Sequence, residues 1–407
     1  MKNWIEISAQ RLAANYRLLA QAVGPETSVL AVIKADAYGH GVDLCAPVLA
    51  AAGATWLGVT DAAEGGAARS ALADAKISKE QQPRVLVMSE ALEDDAEAVI
   101  EHNLTPVVSS IAQMESLAAQ ARGAKTVDVH LEIDSGMSRQ GVPIGSALQE
   151  VLGWLKAQSA VRLDGVMTHF SSAEIAGSHQ TTMQRSGFED AVQQIVAAGL
   201  RPAWVHAGNT SLIDNRAAAD ADAIQADESF CWLRKMAHNV GARAMVRSGL
   251  GLYGYSLPIG REQGYAGPLE PRVQPHLQPV MTWKACVTGI REIEPGARVG
   301  YNGTFIADRC MRLALLPVGY ADGLRRELSG TSEHAGGWVM FGESRAAIVG
   351  RVSMNLTTVD VTDIPSVAVG DEAVVLGAGV TAEDHARLAR TISYEILCGV
   401  KAKRVLR

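Results

Sequence analysis

No membrane-spanning run, no metal-ligand motif and no disulfide pattern can be read in this chain of 407 residues. The longest uncharged stretch, 44–60, is interrupted by Pro47, Gly53 and Gly58, so it reads as helix, turn and strand. Five cysteines (Cys45, Cys231, Cys286, Cys310, Cys398) are scattered, odd in number and without paired spacing. That usage favours a reducing, cytoplasmic setting. The ten histidines are equally dispersed, with no HExxH or similar spacing. Basic residues are the minority, 37 against 44 acidic ones, for a net charge of −7. The concentrated basic stretch 401–407 is a short tail, so nucleic acid is not an expected partner. Residues 1–10 alternate apolar positions (Trp4, Ile5, Ile7) around Glu6 and predict no signal peptide.

What the chain does have is ordinary globular composition, 48% hydrophobic and 20% charged, with length for two sizeable domains. Short apolar runs at 29–33, 56–59, 85–87, 106–108, 127–133, 163–167, 203–206 and 244–247 predict strands. Helical stretches at 44–52, 62–72, 91–102, 112–121, 147–157 and 182–198 separate them. The β-branched run 29–33 reads as a strand buried on both faces. Eight strands alternating with helices predict a closed (β/α)8 TIM barrel in an α/β chain. A doubly wound open sheet would carry a glycine fingerprint after its first strand, and none follows residue 33. Residues 260–279 are rich in Pro and Gly and read as a linker. Beyond it, strands at 280–293, 312–316, 338–341, 346–352 and 357–361, with one late helix near 382–389, predict a mostly β C-terminal domain. The expected division is a barrel over 12–265 and a β-rich domain over 266–407.

Barrel enzymes carry reactive groups at the C-terminal ends of their strands. The first strand runs into Lys34, in AVIKADAYGHG, and the fifth into Arg139, in LEIDSGMSRQG. The sixth runs into His169, the seventh through His206 into Asn209 and Thr210, and the eighth into Arg247. Each has a bland reading. A strand-end lysine snorkels to solvent, a lone arginine pairs on the surface, and a lone histidine is a satisfied core residue. Their convergence on one mouth favours an anionic small molecule, and a lysine there could form an imine with an aldehyde.

Five motifs in order carry a specific resemblance: AVIKADAYGHG, VGYNGTFIA, LPVGYADG, VGRVSMN and SYEILCG. The chain resembles the alanine racemase family over nearly its whole length. The resemblance implies pyridoxal 5'-phosphate (PLP) as cofactor and L- to D-alanine interconversion, supplying D-alanine for peptidoglycan. It also implies that residues 1–11 join the β-rich domain. Lys34 would hold PLP as an imine and act as one acid/base, with Tyr301 the other, on opposite faces of Cα. Tyr38, Thr210, Gly249, Leu250 and Tyr394 match phosphate-contacting positions, with Asn209 beside them. Arg247 would face the pyridine nitrogen and leave it unprotonated, Arg139 would reach the phenolic oxygen and the substrate, and His169 would link Arg247 to the tyrosine. Met354 would offer its backbone N–H to the substrate carboxylate. In the family the tyrosine enters the other subunit's site, which implies a homodimer.

Some positions depart from the family pattern. Asn355 replaces a common Asp and Ser353 a common Cys, a change shared with broad-specificity amino-acid racemases, which are typically exported. Glu132 stands where many relatives have a carbamylated lysine that fixes the arginine matching Arg139, so a Glu132–Arg139 pair is expected. The stretch 217–238 is longer than usual. A PLP-dependent decarboxylase would pair the pyridine nitrogen with a carboxylate where Arg247 stands, and a PLP-carrier protein would lack the domain containing Tyr301.

Overall fold

A computed structural model describes residues 2–90, 95–121, 126–215 and 230–407, which form two compact units. One unit, 12–37 with 42–278, contains the barrel. Its eight parallel strands are Thr27–Val32, Trp56–Val59, Arg84–Val87, Thr105–Val108, Val127–Asp134, Val161–Met167, Trp204–His206 and Arg243–Ser248. Each pairs with its neighbour in sequence, and Arg243–Ser248 returns to Thr27–Val32 to close the ring. Burial on both faces accounts for the β-branched runs: Trp56–Val59 and Thr105–Val108 are buried at every position.

The stretch 260–278 belongs to this unit, so its boundary falls later than residue 265. Polar anchors hold it there. Asp214 Oδ1 accepts the backbone N–H groups of Val273 and Gln274 at 2.8 and 2.9 Å, and Asn15 Oδ1 accepts that of Gln278 at 2.9 Å. Gly260–Arg261 also pairs with Ile175–Ala176. The expected helix 91–102 is observed as Asp95–Glu101, with 91–94 outside the described residues. Of the stretch 217–238, residues 217–229 lie outside them and Cys231–Asn239 is a helix.

The second unit comprises 1–11, 38–41 and 279–407. Its six-stranded sheet sets Asn3–Ile7 between Met281–Cys286, antiparallel, and Arg404–Leu406, parallel. A three-stranded antiparallel sheet joins Gly289–Ile293, Met311–Leu316 and Thr357–Asp360. The expected strand 280–293 is therefore two strands in different sheets, broken at residues 287–288. The expected strand 346–352 is Ser344–Ala347, and a second late helix, Ser393–Gly399, follows Ala382–Ala389. Among the described residues no helix is long and apolar enough to cross a membrane, and no cluster of ligating side chains could hold a metal.

His385, on Ala382–Ala389, is 2% exposed, and its Nε2 has no hydrogen-bond partner among the described residues. Burial pulls its pKa down to about 4, against the opposing pull of Asp384. The folded imidazole is neutral while the unfolded one protonates below about 6.5, so stability is complete above that pH and is lost as pH falls towards 4. Between pH 7 and pH 5 the loss from this residue should be about 2 kcal/mol. Melting of His385→Leu should accordingly fall less steeply over that interval than melting of the wild type, and parallel slopes would refute the assignment.

Candidate active site

The first barrel strand runs out at Val32, and Lys34 opens an unusual turn. Ala35, Asp36, Ala37 and Tyr38 all lie in the left-handed region, with φ of 52–54°. Left-handed helical backbone costs roughly 1–2 kcal/mol per L-residue, so something must hold it. Glu64 does much of this: Oε1 accepts the Ala35 N–H and Oε2 the Thr60 N–H, both at 2.7 Å. Glu64 is itself fixed in the first turn of Ala62–Asp74, whose cap Asp61 accepts its N–H. Asp36 Oδ1 takes the Val42 N–H at 2.8 Å. The turn leaves Lys34 exposed at the C-terminal end of the strand.

Arg247, 4% exposed, is held at this mouth by three hydrogen bonds. Its Nη2 donates to Thr168 O at 2.7 Å and to His169 Nδ1 at 3.3 Å, and its Nη1 donates to His206 Nδ1 at 3.1 Å. Its Nε–H has no protein acceptor among the described residues. Burial lowers the guanidinium to about 10, against Glu132, so it remains a cation at neutral pH. His169 is pushed down to about 3 by burial and then by Arg247, Arg139 and Lys34. Three cations from three strand ends therefore bear on one neutral imidazole.

Glu132 corrects an expectation. It is 2% exposed and lies on the inner side of Val127–Asp134, but its bond comes from Gln140 Nε2, which also donates to Met88 O at 2.9 Å. Arg139 itself is exposed and acts on Glu132 only through its charge. The turn explains this. Asp134 Oδ1 collects the N–H groups of Gly136, Met137 and Ser138, each at 3.0 Å, and the returning chain brings Gln140 rather than Arg139 over the carboxylate. Burial raises the Glu132 pKa, against Gln140, Arg247 and Arg139.

Opposite polar groups gather after the seventh and eighth strands. Asn209 caps Thr210–Asp214, accepting the Leu212 N–H at 3.2 Å. Thr210 Oγ1 meets Ser248 Oγ at 3.1 Å and accepts the Gly251 N–H at 3.1 Å. A Cβ at Gly251 would lie 2.9 Å from Thr210, so glycine is needed for that approach. The Gly249 N–H, just before Leu250–Tyr253, has no acceptor among the described residues. This is a set of donors suited to an anion.

The remaining candidates lie in the β-rich unit. Tyr301 sits at the tip of a hairpin whose arms are Arg298–Val299 and Phe305–Ile306, and it is 67% exposed. Gly300 has φ of 73° and a Cβ there would lie 3.2 Å from the Arg351 nitrogen, so the tip packs beside 350–351. Met354 is 56% exposed; its carbonyl accepts the Ala321 N–H at 2.9 Å, and its own N–H has no acceptor among the described residues. Tyr38 and Tyr394 are neighbours, with ring centroids 5.9 Å apart. Burial raises the Tyr38 pKa, and Tyr394 and Cys398 add to it.

Two buried histidines, His130 and His206, and Asp164 form a hydrogen-bonded chain behind Arg247 that the sequence reading did not single out as a site. The available signal was the even-numbered polar series Asp128, His130, Glu132 and Asp134 in one strand.

Comparisons with known proteins agree along the whole chain. The family described as "Alanine racemase, N-terminal domain" matches residues 7–257, and "Alanine racemase, C-terminal domain" matches 280–407. A curated protein named alanine racemase from Syntrophobacter fumaroxidans is 34% identical, over 99% of this chain and 96% of its own. Its counterpart from Halothermothrix orenii is 32% identical over 98% and 95%. Among solved structures, alanine racemase from Streptomyces coelicolor superposes with a TM-score of 0.84 at 29% identity, covering 100% of this chain and 98% of its own. That from Bartonella henselae, described with covalently bound pyridoxal phosphate, gives 0.77 at 25% identity, covering all of both chains.

Proposed function

Because the chain belongs to the alanine racemase family, we propose that it interconverts L- and D-alanine with pyridoxal phosphate, using Lys34 and Tyr301 as the two proton carriers. The observation that carries this reading is Arg247, buried at the barrel mouth and bonded to Thr168 O and His169, with the charges of Lys34 and Arg139 bearing on the same imidazole. The residues present fit the cofactor. Lys34 offers an amine for its aldehyde, Arg247 an unused Nε–H for its ring nitrogen, and Thr210, Ser248 and the Gly249 N–H a set of donors for its phosphate. Asn209, Leu250, Tyr38 and Tyr394 complete the phosphate-binding set in this reading.

Bound pyridoxal phosphate supplies an aldehyde that links to an amine and a conjugated ring that weakens the adjacent C–H bond. The protein's task is then to move one proton. Lys34 Nζ serves one face of the substrate Cα and the Tyr301 hydroxyl the other, so that a proton taken from one face is replaced on the opposite face. Arg247, a permanent donor, orients the ring nitrogen without giving it a proton. That restrains electron withdrawal and so disfavours side reactions. The Met354 N–H and Arg139 would hold the substrate carboxylate, and Arg139 would also donate to the cofactor's phenolic oxygen. His169, bonded to Arg247, relays orientation towards the tyrosine.

A homodimer with shared sites is part of this reading, supported by the exposure of Tyr301 and Met354 on the β-rich unit. The direct test incubates the purified protein with L-alanine, L-serine and L-glutamate and follows optical rotation. Loss of rotation with L-alanine is expected; turnover confined to the other substrates would overturn the alanine reading. Mixing Lys34→Ala with Tyr301→Ala protein should restore part of the activity, and no recovery after demonstrated subunit exchange would exclude a shared site.

The buried Glu132 carboxyl, its pKa raised by burial, interacts electrostatically with Arg247 and Arg139, which favour its ionised form. Acting at several ångströms through an effective dielectric of about 20, such a charge is worth about 1–2 kcal/mol. Glu132→Gln should therefore lower kcat about tenfold, and the wild type should not respond to bicarbonate. Full activity in the variant, or bicarbonate dependence in the wild type, would remove the carboxylate from the site.

A further inference from the structure

The interior of a (β/α)8 barrel is ordinarily filled by layers of branched apolar side chains. Here it holds two histidines and a carboxylate. His130 and His206 are fully buried and Asp164 is 6% exposed. From the mouth inward, Arg247 Nη1 meets His206 Nδ1 at 3.1 Å. His206 Nε2 meets His130 Nδ1 at 2.8 Å, and His130 Nε2 meets Asp164 Oδ2 at 3.4 Å. Arg84 Nη1 holds the same oxygen at 2.8 Å from the N-terminal ends of the strands. The surroundings are shaped for this chain. Trp56 packs against the His130 ring with centroids 5.2 Å apart, and a Cβ at Gly165 would lie 2.6 Å from that ring.

The ends of the chain fix its protons. A guanidinium only donates, and an ionised carboxylate only accepts. Between them stand two neutral imidazoles, each with one N–H and one lone pair. Only one arrangement makes all three bonds: His206 protonated on Nε2 and accepting at Nδ1, and His130 protonated on Nε2 and accepting at Nδ1. Any other tautomer sets two donors or two lone pairs against each other in a buried place, where an unmet polar group is costly. Burial disfavours the imidazolium form of both rings. A purely architectural role would be served as well by apolar side chains, since buried polar groups rarely outperform them in stability.

We propose that His206 and His130 are positioning residues for Arg247: a one-way hydrogen-bonded pair, referenced to Asp164, that keeps a lone pair aimed at Nη1 and so fixes the plane of the guanidinium. With Nη1 held by His206 and Nη2 by Thr168 O and His169, the orientation of Nε–H follows. The inference rests on the proposed function only for the use to which that Nε–H is put; the proton arrangement stands without it.

Two measurements test it. Long-range 1H–15N spectra of histidine-labelled protein, with and without pyridoxal phosphate, should show His130 and His206 as neutral Nε2–H tautomers between pH 6 and 8. An Nδ1–H tautomer or an imidazolium at either position would overturn the proposal whether or not the protein racemises alanine. His130→Leu then cuts the chain one residue away from Arg247. The folded variant should lose at least about tenfold in kcat with KM for alanine within about twofold, and the absorption band of bound pyridoxal phosphate should shift. Asp164→Asn can still accept from His130, so it should keep the wild-type tautomers and most of the activity. Unchanged kcat and absorption in His130→Leu would show the chain to be packing alone. If His130→Leu fails to fold, the tautomers of Asp164→Leu decide: retention of the Nε2–H form without the carboxylate would overturn its role as reference.

Discussion

Lys34→Ala is expected to lower racemase activity by about 10⁴-fold, the upper range for loss of a positioned acid or base, and to abolish borohydride-reducible attachment of pyridoxal phosphate. Lys34 opens a left-handed turn at the mouth whose strain Glu64 and Asp36 offset, so the backbone that carries the amine has a prepared position. Its charge also helps to hold His169 down at about 3. The variant should therefore raise the His169 pKa, a change readable by NMR in the apoprotein. Truncation at Cβ removes an exposed side chain and leaves the Glu64 and Asp36 bonds that pin the turn. Loss of activity with an unfolded product is not expected. If the variant still yields a reducible cofactor–protein link, another amine carries it and the assignment of Lys34 falls.

The barrel was legible because its strands are buried on both faces, which forces continuous β-branched and apolar runs. The rim was legible because Lys34, His169 and Arg247 each follow such a run. Local bond choice was harder to read. Glu132 was expected to meet Arg139, yet the Asp134-capped turn delivers Gln140, its immediate neighbour, and one residue of difference reverses which side chain faces inward. The left-handed turn left no mark, since Ala35, Asp36, Ala37 and Tyr38 include no glycine to announce positive φ. The His206–His130–Asp164 chain is hidden by distance in sequence, since its members come from three strands and the scattered histidines match no metal spacing. The break at 287–288 was obscured because both strands there are apolar enough to read as one.

Tyr301→Phe should slow the two directions of proton exchange unequally. The resemblance to alanine racemases implies that Tyr301 takes the Cα proton of the L-enantiomer and Lys34 that of the D-enantiomer. Removing the hydroxyl leaves Lys34 intact, so D-alanine in deuterium oxide should still exchange its Cα proton, returning as D-alanine. Exchange from L-alanine should fall by about 10²–10⁴-fold, and net racemisation should fall with it in both directions, because each crossing needs both groups. The variant is a clean probe. Phenylalanine keeps the ring, and the hairpin is anchored away from the hydroxyl, with Val299 packed against Ala307, Met311, Leu313 and Val349. Gly300, whose positive φ sets the tip, is unchanged. Mass spectrometry of alanine recovered from each enantiomer reads the two exchange rates directly. Equal retardation from both would contradict two proton carriers on opposite faces and leave Lys34 to serve both.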